Sequence, residues 1–332
     1  MPSFSTFWTH FFPPKPKFTD RDVPDLTGKV YLVTGANTGI GKEVARILYS
    51  KNAKVYVAAR SEEKAQAAIE EIRKSSSSST GTLKFLHLDL SDLTKVKAAA
   101  QAFLSQEQKL HVLFNNAGVM VSPAEPPAKS AQGFELGLGV NCIGTFLFTQ
   151  LLTPTLISTA KSESPNSVRV IWLSSFGLEL FGQAGVGLST ENLDYHTPVD
   201  ATERYGQSKV GAWALGVEYA KRHRADSIVS VPVNPGNLQT ELPRDQKAMV
   251  KLVAKLLCYP AVNGAYTELF AAFSDEVAIE KADWSKTWVA PFGRVYPLRS
   301  DLVQATMAET EGGTGGTSKF WDWVEQQVKA YL

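Results

Sequence analysis

Cysteine is scarce in this chain, with only Cys142 and Cys258 among 332 residues. Two thiols cannot build a multi-bridge framework, so a reducing, cytoplasmic setting with ordinary buried thiols is the expectation. Neither sign of charge dominates, since 34 Lys and Arg face 33 Asp and Glu. Without a basic field there is no electrostatic ground for a nucleic-acid partner. The five histidines (His10, His87, His111, His196 and His223) lack any H-x-x-x-H or cysteine-paired spacing, and no metal is expected. Within residues 1–25 no apolar run is long enough to span a bilayer or form a secretory core, and early positive charge is missing.

What the chain does have is alternation. Short apolar runs at Val30–Val33, Lys54–Ala58, Leu83–Leu88, Val112–Phe114, Val168–Leu173 and Ile228–Val233 are separated by helix-like stretches such as Glu62–Arg73 and Leu93–Leu104. Buried parallel strands read as such runs, and right-handed crossovers stack helices on both faces of one sheet. The expected fold is α/β: a doubly wound, mostly parallel sheet in a single domain, with its ligand at the carboxyl ends of the strands. No linker-like break divides residues 26–332.

The first strand runs into Thr34-Gly35-Ala36-Asn37-Thr38-Gly39-Ile40-Gly41 and then a helical pattern from Lys42. Glycines at that spacing let the backbone turn tightly and approach a pyrophosphate, which the amino end of the helix then attracts. Farther on, Tyr205-Gly206-Gln207-Ser208-Lys209 places a phenol and an ammonium one helical turn apart. A fixed ammonium favours the phenolate and brings a group with a pKa of about 10 closer to the working range, which suits proton transfer at a carbonyl or alcohol oxygen.

With these in place the chain resembles the short-chain dehydrogenase/reductase family, and within it the branch of retinol dehydrogenases and fungal reductases. The motifs that carry the resemblance are the Thr34–Gly41 turn, Asp89-Leu90, Asn115-Asn116-Ala117-Gly118, Asn141, Ser175, the Tyr205/Lys209 pair, and Pro235-Gly236 with Thr240, spread from about Leu26 to Leu242. The resemblance implies a catalytic set of Asn141, Ser175, Tyr205 and Lys209, with Ser174 as the rival for Ser175. It also implies cofactor contacts from Gly35, Asn37, Thr38, Gly39, Ile40, Gly41, Asp89, Leu90, Asn116, Ala117, Gly118, Tyr205, Lys209, Pro235, Gly236 and Thr240. Lys209 would lower the phenol pKa and hold the nicotinamide ribose, while Asn141 keeps a relay water in line. Tyr195 is a weaker candidate than Tyr205 because no lysine follows it by four residues.

Cofactor choice turns on Ala58-Ala59-Arg60-Ser61 at the end of the second strand. A carboxylate there would accept from the ribose hydroxyls of NAD(H) and repel a 2′-phosphate. Arg60 and Ser61 can instead bond that phosphate, so NADP(H) is expected, with NAD(H) as the alternative.

Apolar residues between Ser175 and Tyr205 (Phe176, Leu178, Leu180, Phe181 and Leu188), with Leu242, Met249 and Leu252, point to a small-molecule carbonyl or alcohol that is bulky and apolar. Retinoid, steroid, fatty aldehyde and polyketide-type ketone all fit; the resemblance to fungal pathway reductases makes the last the first expectation, ahead of a retinol- or steroid-type dehydrogenase and of a silent dinucleotide-binding sensor. The resemblance implies that residues 241–260, which follow the Pro-Gly motif, cover the site as a lid, in preference to a membrane-facing helix. The aromatic and proline-rich arm of residues 1–25 is expected to pack on the body, in preference to a peripheral membrane contact. A final helix from about Ser318 to Leu332 has aromatic surface for docking on the body or on a second subunit of a homodimer.

Overall fold

Strand side chains alternate between two apolar cores, the period of two that a pleated backbone imposes. Along β1 (Val30–Thr34), Val30 and Leu32 enter one core while Tyr31 and Val33 enter the other. Along β2 (Lys54–Ala59), Tyr56 and Ala58 oppose Val55, Val57 and Ala59 in the same way. Both faces are covered, which is why the strands appear in the sequence as unbroken apolar runs.

In the computed structural model, which describes residues 3–120, 127–239 and 258–332, these strands join β3 (Thr82–His87), β4 (Val112–Asn115), β5 (Arg169–Leu173), β6 (Val229–Val233), β7 (Thr287–Ala290) and β8 (Arg294–Pro297). They form one sheet in the order β3-β2-β1-β4-β5-β6-β7-β8. Pairing is parallel up to β7, and β7 with β8 is antiparallel. The β7–β8 pair was not expected from the sequence, because two four-residue strands carry too short a pattern.

Helices Leu93–Leu104, Leu136–Ala160, Ala201–Arg222 and Gly316–Val328 cover one face; Gly39–Ser50, Glu62–Ser75 and Ala261–Phe273 cover the other. The Leu136–Ala160 helix is apolar and long enough to cross a membrane, yet 83% of its most apolar stretch is buried inside the molecule. It is a core helix. The last helix starts at Gly316, just after Gly315 at φ 63°, and buries Phe320 and Trp321 against the chain's own body. The arm contains a helix, Phe4–Phe11, with His10 buried.

β1 lies between β2 and β4, so the chain reverses its direction across the sheet there. The crevice at that switch, outside the carboxyl ends of the strands, is where such sheets hold ligands. Asp89, Asn116, Ser175 and Asn234 each follow directly or closely on the end of a strand.

Candidate active site

The glycine turn is shaped by what it packs against. Gly35 (φ 67°) and Gly39 (φ 57°) take left-handed backbone conformations, and a Cβ on Gly41 would lie 2.4 Å from Asn116 Nδ2 and 2.8 Å from the Gly35 carbonyl. Asn116 Nδ2 donates to the Thr34 carbonyl at 2.7 Å, and the Ala117 amide donates to Thr34 Oγ1 at 2.9 Å. Asn116, Ala117 and the turn are thus one unit. Thr38 precedes the Gly39–Ser50 helix without a side-chain capping bond, so the first-turn amides around Ile40 stay available to an anion. A pyrophosphate fits that cradle.

Lys209 is the pivot of the second half of the site. It is 3% exposed, and its Nζ donates to the Leu173 carbonyl at the end of β5 at 3.0 Å. From there the ammonium stands 5.9 Å from the centre of the Tyr205 ring. Gly118 lets the Asn115–Gly118 backbone come close, since a Cβ would sit 3.0 Å from Lys209 Nζ and 3.4 Å from Asn141 Oδ1. Asn141 lies in a π-helical stretch, Gly139–Gly144, the kind of bulge often found at functional sites. Its amide is fixed three ways: Oδ1 accepts from Val119 N (2.9 Å), and Nδ2 donates to Val119 O (3.1 Å) and Ser208 Oγ (2.8 Å).

The two serines after β5 separate cleanly. Ser174 is 1% exposed and its hydroxyl donates to the Lys209 carbonyl at 2.8 Å. Ser175 Oγ accepts from the Gly177 amide at 2.9 Å, which leaves its own proton to donate elsewhere. Gly177 joins this serine to the residue after Tyr205, since a Cβ on Gly177 would lie 2.9 Å from Ser175 Oγ and 3.2 Å from Gly206 Cα. Tyr195 is set apart: burial raises its phenol most, and the ionisable groups acting on it are Glu135, Cys142, Arg204 and Glu203, with no lysine among them.

One expectation about charge is reversed. Burial pushes the Tyr205 phenol up to about 12, and desolvation brings the Lys209 ammonium down to about 8. The ammonium is bonded to a backbone carbonyl, and desolvation alone accounts for the raised phenol.

Arg60 is exposed beyond β2, and Ser61 caps the next helix by accepting from Lys64 N at 3.4 Å. Burial works against the Asp89 carboxylate. Bonds from the Ser91 hydroxyl (2.6 Å) and amide (3.1 Å), with Lys95 and Arg60 nearby, nevertheless hold it below the usual carboxylate range. Leu90 is buried, and its carbonyl would lie 2.2 Å from a Cβ on Gly144, which ties this loop to the π-helical stretch. After β6, the Gly236 amide (φ 93°) donates to Asn234 Oδ1 at 3.1 Å across Pro235. Thr240 lies outside the described residues, as do Leu242, Met249, Leu252 and all but 258–260 of the expected lid.

Residues 29–177 match the family model for short chain dehydrogenase. A short-chain dehydrogenase/reductase of Phomopsis amygdali is 53% identical over 333 residues, covering 99% of this chain and 98% of that protein. The short-chain dehydrogenase/reductase bet4 of Neocamarosporium betae is 50% identical over 329 residues, covering 99% of this chain and 94% of that one. The chain is a short-chain dehydrogenase/reductase.

Among solved structures, the Pseudomonas aeruginosa RhlG/NADP active-site complex is 27% identical with a TM-score of 0.51, covering 66% of this chain and 77% of that one. As a member of the family, this short-chain dehydrogenase/reductase is an NAD(P)-dependent oxidoreductase of the fungal reductase branch. A nicotinamide dinucleotide, when bound, gives or takes the hydride.

Two features escaped the sequence reading. Glu268 is fully buried in the Ala261–Phe273 helix with no partner for either oxygen; burial raises its carboxyl to about 8, and Lys209 is the charge that partly offsets this. Nothing local in Thr267-Glu268-Leu269 announces it. The other is the Phe4–Phe11 helix, whose Phe7 and Phe11 meet Phe176, the neighbour of Ser175, edge-on. The spacing of Phe4, Phe7, Trp8 and Phe11 does carry that helix. Of the residues expected to line the pocket, Leu178 and Leu188 instead belong to the core, at 0% and 3% exposure. Their apolar character serves packing of the core.

Proposed function

We propose that this enzyme reduces the carbonyl of a bulky, apolar, polyketide-type ketone with NADPH. The observation that carries the reading is the placement of Ser175, Tyr205 and Lys209 around the end of β5, fixed by the Lys209–Leu173 bond and the Gly177–Gly206 contact. Tyr205, with its pKa raised to about 12, holds its proton until negative charge builds on the substrate oxygen. Ser175, oriented by the Gly177 amide, donates a second hydrogen bond to the same oxygen. Lys209 orients the nicotinamide ribose, and Asn141 holds the relay side of the site through Val119 and Ser208.

Three things support NADPH over NADH. Ala58 and Ala59 offer no carboxylate, Arg60 is exposed, and Asp89, whose charge feels Arg60, is already bonded by Ser91. The RhlG complex described with NADP is a relative in fold and sequence. A cytoplasmic workplace belongs to the same reading, in keeping with two unpaired cysteines, Cys142 and Cys258.

The test is spectrophotometric consumption of NADPH against a panel of apolar ketones and aldehydes, with Tyr205→Phe as control. Turnover of bulky apolar carbonyls that the variant loses is the expected result. Dinucleotide binding without turnover on the whole panel, or preference for small hydrophilic carbonyls, overturns it.

A further inference from the structure

Phe4, Trp8 and Phe12 follow one another at four-residue intervals, so the Phe4–Phe11 helix and its cap carry them as one stripe. They are 79%, 54% and 54% exposed, and their rings meet along the stripe, Phe4 with Trp8 at 6.2 Å and Trp8 with Phe12 at 4.5 Å between centroids. Phe7 on the same helix is also exposed, and Phe4, Ser5, Trp8 and Thr9 line a shallow groove. Beyond this arm, Leu180, Val186 and Leu332 are the large apolar side chains left exposed among the described residues. Apolar residues scattered singly need no partner, whereas a contiguous aromatic patch marks an interaction site.

The stripe is not a loose end that has missed the core. His10 of the same helix is buried, with Asn234 Nδ2 against its Nδ1 at 3.0 Å, and Arg294 donates to the Thr9 carbonyl at 3.0 Å. Phe11 meets Phe176 edge-on at 5.1 Å, and the Tyr259 hydroxyl donates to the Phe11 carbonyl at 3.4 Å. The body thus grips the helix along one side and holds the aromatic stripe outward.

Charge selects the occupant. No acid precedes Asp20 in the chain, while Lys15 and Lys17, both exposed, follow the stripe after Pro13 and Pro14. The first two acids are already engaged, Asp20 by the Tyr266 hydroxyl at 3.0 Å and Asp22 by the Thr19 amide at 2.8 Å. A two-fold contact with a second copy would set this patch against itself, with no carboxylate in residues 3–19 to meet the lysines. A bilayer surface bearing anionic headgroups gives aromatic rings the interfacial depth they favour and gives the lysines their counter-charge.

We propose that the Phe4–Phe11 helix docks the enzyme on the surface of an anionic phospholipid bilayer, with Phe4, Trp8 and Phe12 set among the headgroups and Lys15 and Lys17 paired with their charge. The contact is peripheral, because a helix of 8 residues is about 12 Å long and far short of a span. It adjoins the carboxyl end of β5, since Phe176 directly follows Ser175.

The test is co-sedimentation of the full-length enzyme with vesicles of phosphatidylcholine alone and of phosphatidylcholine mixed with phosphatidylserine. Wild type should bind the mixed vesicles more tightly, by about fivefold for each of the two lysines, and lose that margin in high salt. Phe4→Gln, Trp8→Gln and Phe12→Gln together should weaken binding to both vesicle types by at least about tenfold with the thermal midpoint unchanged. Lys15→Gln with Lys17→Gln should bring binding of the mixed vesicles down to the level of phosphatidylcholine alone. Brominated phosphatidylcholine should quench wild-type tryptophan fluorescence and leave that of Trp8→Gln nearly unaffected. If the triple variant melts early, the lysine pair and Trp8→Gln decide. No sedimentation of wild type with either vesicle, equal binding to both, binding untouched by a correctly folded triple variant, or quenching that survives Trp8→Gln overturns the assignment. So does a concentration-dependent dimer of wild type that the triple variant abolishes, which gives the stripe to a second copy.

Discussion

The ring of Phe181 occupies the space where a side chain on Gly206 would begin: a Cβ there would lie 2.0 Å from one ring carbon and 2.5 Å from the next. Gly206 directly follows Tyr205, so this contact sets how deeply the phenol reaches toward Ser175. Gly206→Ala must push the Gly177–Phe181 helix away from the Ala201–Arg222 helix. Overpacking of this kind costs about 1–3 kcal/mol, and a displacement of about 1 Å at a reacting group costs on the order of 10²-fold in rate. Both effects are expected, read as a lower thermal midpoint and a fall in kcat/KM with little change in cofactor affinity. Near-normal kcat/KM in the variant would show that Phe181 yields without moving Tyr205.

The neighbouring serines should respond differently. In the proposed role Ser175→Ala removes a donor to the substrate oxygen, and a loss of roughly 10²–10³ in kcat is expected with an unchanged melting point. Ser174→Ala removes the buried bond to the Lys209 carbonyl, so it should lower stability by about 1–3 kcal/mol and reduce rate less than the Ser175 change. Paired measurements of kcat and thermal midpoint decide between them, and the opposite pattern would transfer the donor role to Ser174.

Much of this site is written in local spacing. The turn from Thr34 to Gly41, the Asn115–Gly118 run and Tyr205 with Lys209 each lie within one turn or one loop, and the apolar strands mark themselves by their runs. What the chain alone leaves open depends on partners far away in sequence. Ser174 and Ser175 differ only once the Lys209 carbonyl and the Gly177 amide are seen beside them. Glu268 looks like any helical glutamate until both its oxygens are found buried. Likewise the phenol of Tyr205 is raised by desolvation, a property of the whole fold.

Glu268 gives a prediction with a definite sign. Its carboxyl ionises near 4.5 when solvated and at about 8 in the fold, where burial disfavours the charge. Between those values the unfolded chain has released the proton and the native one has kept it, so stability falls as pH rises from about 4.5 to about 8. Glu268→Gln cannot ionise and escapes that fall. The thermal midpoint of the variant relative to wild type should therefore be higher at pH 9 than at pH 5, by a difference on the order of a few kcal/mol in stability. Desolvation also lowers Lys209 to about 8 while Glu268 pulls it up, so the same substitution should move the lysine further down. A pH-independent gap between the two proteins would mean that Glu268 is not held protonated.

Arg60 decides the cofactor if the 2′-phosphate reading is right. Its guanidinium is exposed at the end of β2, close enough to Asp89 to lower that carboxylate, and Ser61 keeps a hydroxyl proton free while accepting from Lys64 N. A phosphate placed there gains charge-assisted bonds from Arg60 and also screens it from Asp89. Arg60→Ala removes the donor and leaves Asp89 to repel the phosphate, so both changes act in the same direction. The KM for NADPH should rise roughly 10- to 100-fold, the range given by one or two charged hydrogen bonds. The KM for NADH should stay within about twofold, because its ribose hydroxyls carry no charge for Arg60 to meet. Since Arg60 lies at the opposite end of the crevice from Tyr205, kcat at saturating cofactor should hold in both cases. Ser61→Ala should shift the preference in the same sense by less, having lost a neutral donor only. An NADPH-to-NADH ratio of kcat/KM that survives Arg60→Ala would place phosphate recognition elsewhere in the crevice and return NADH to consideration.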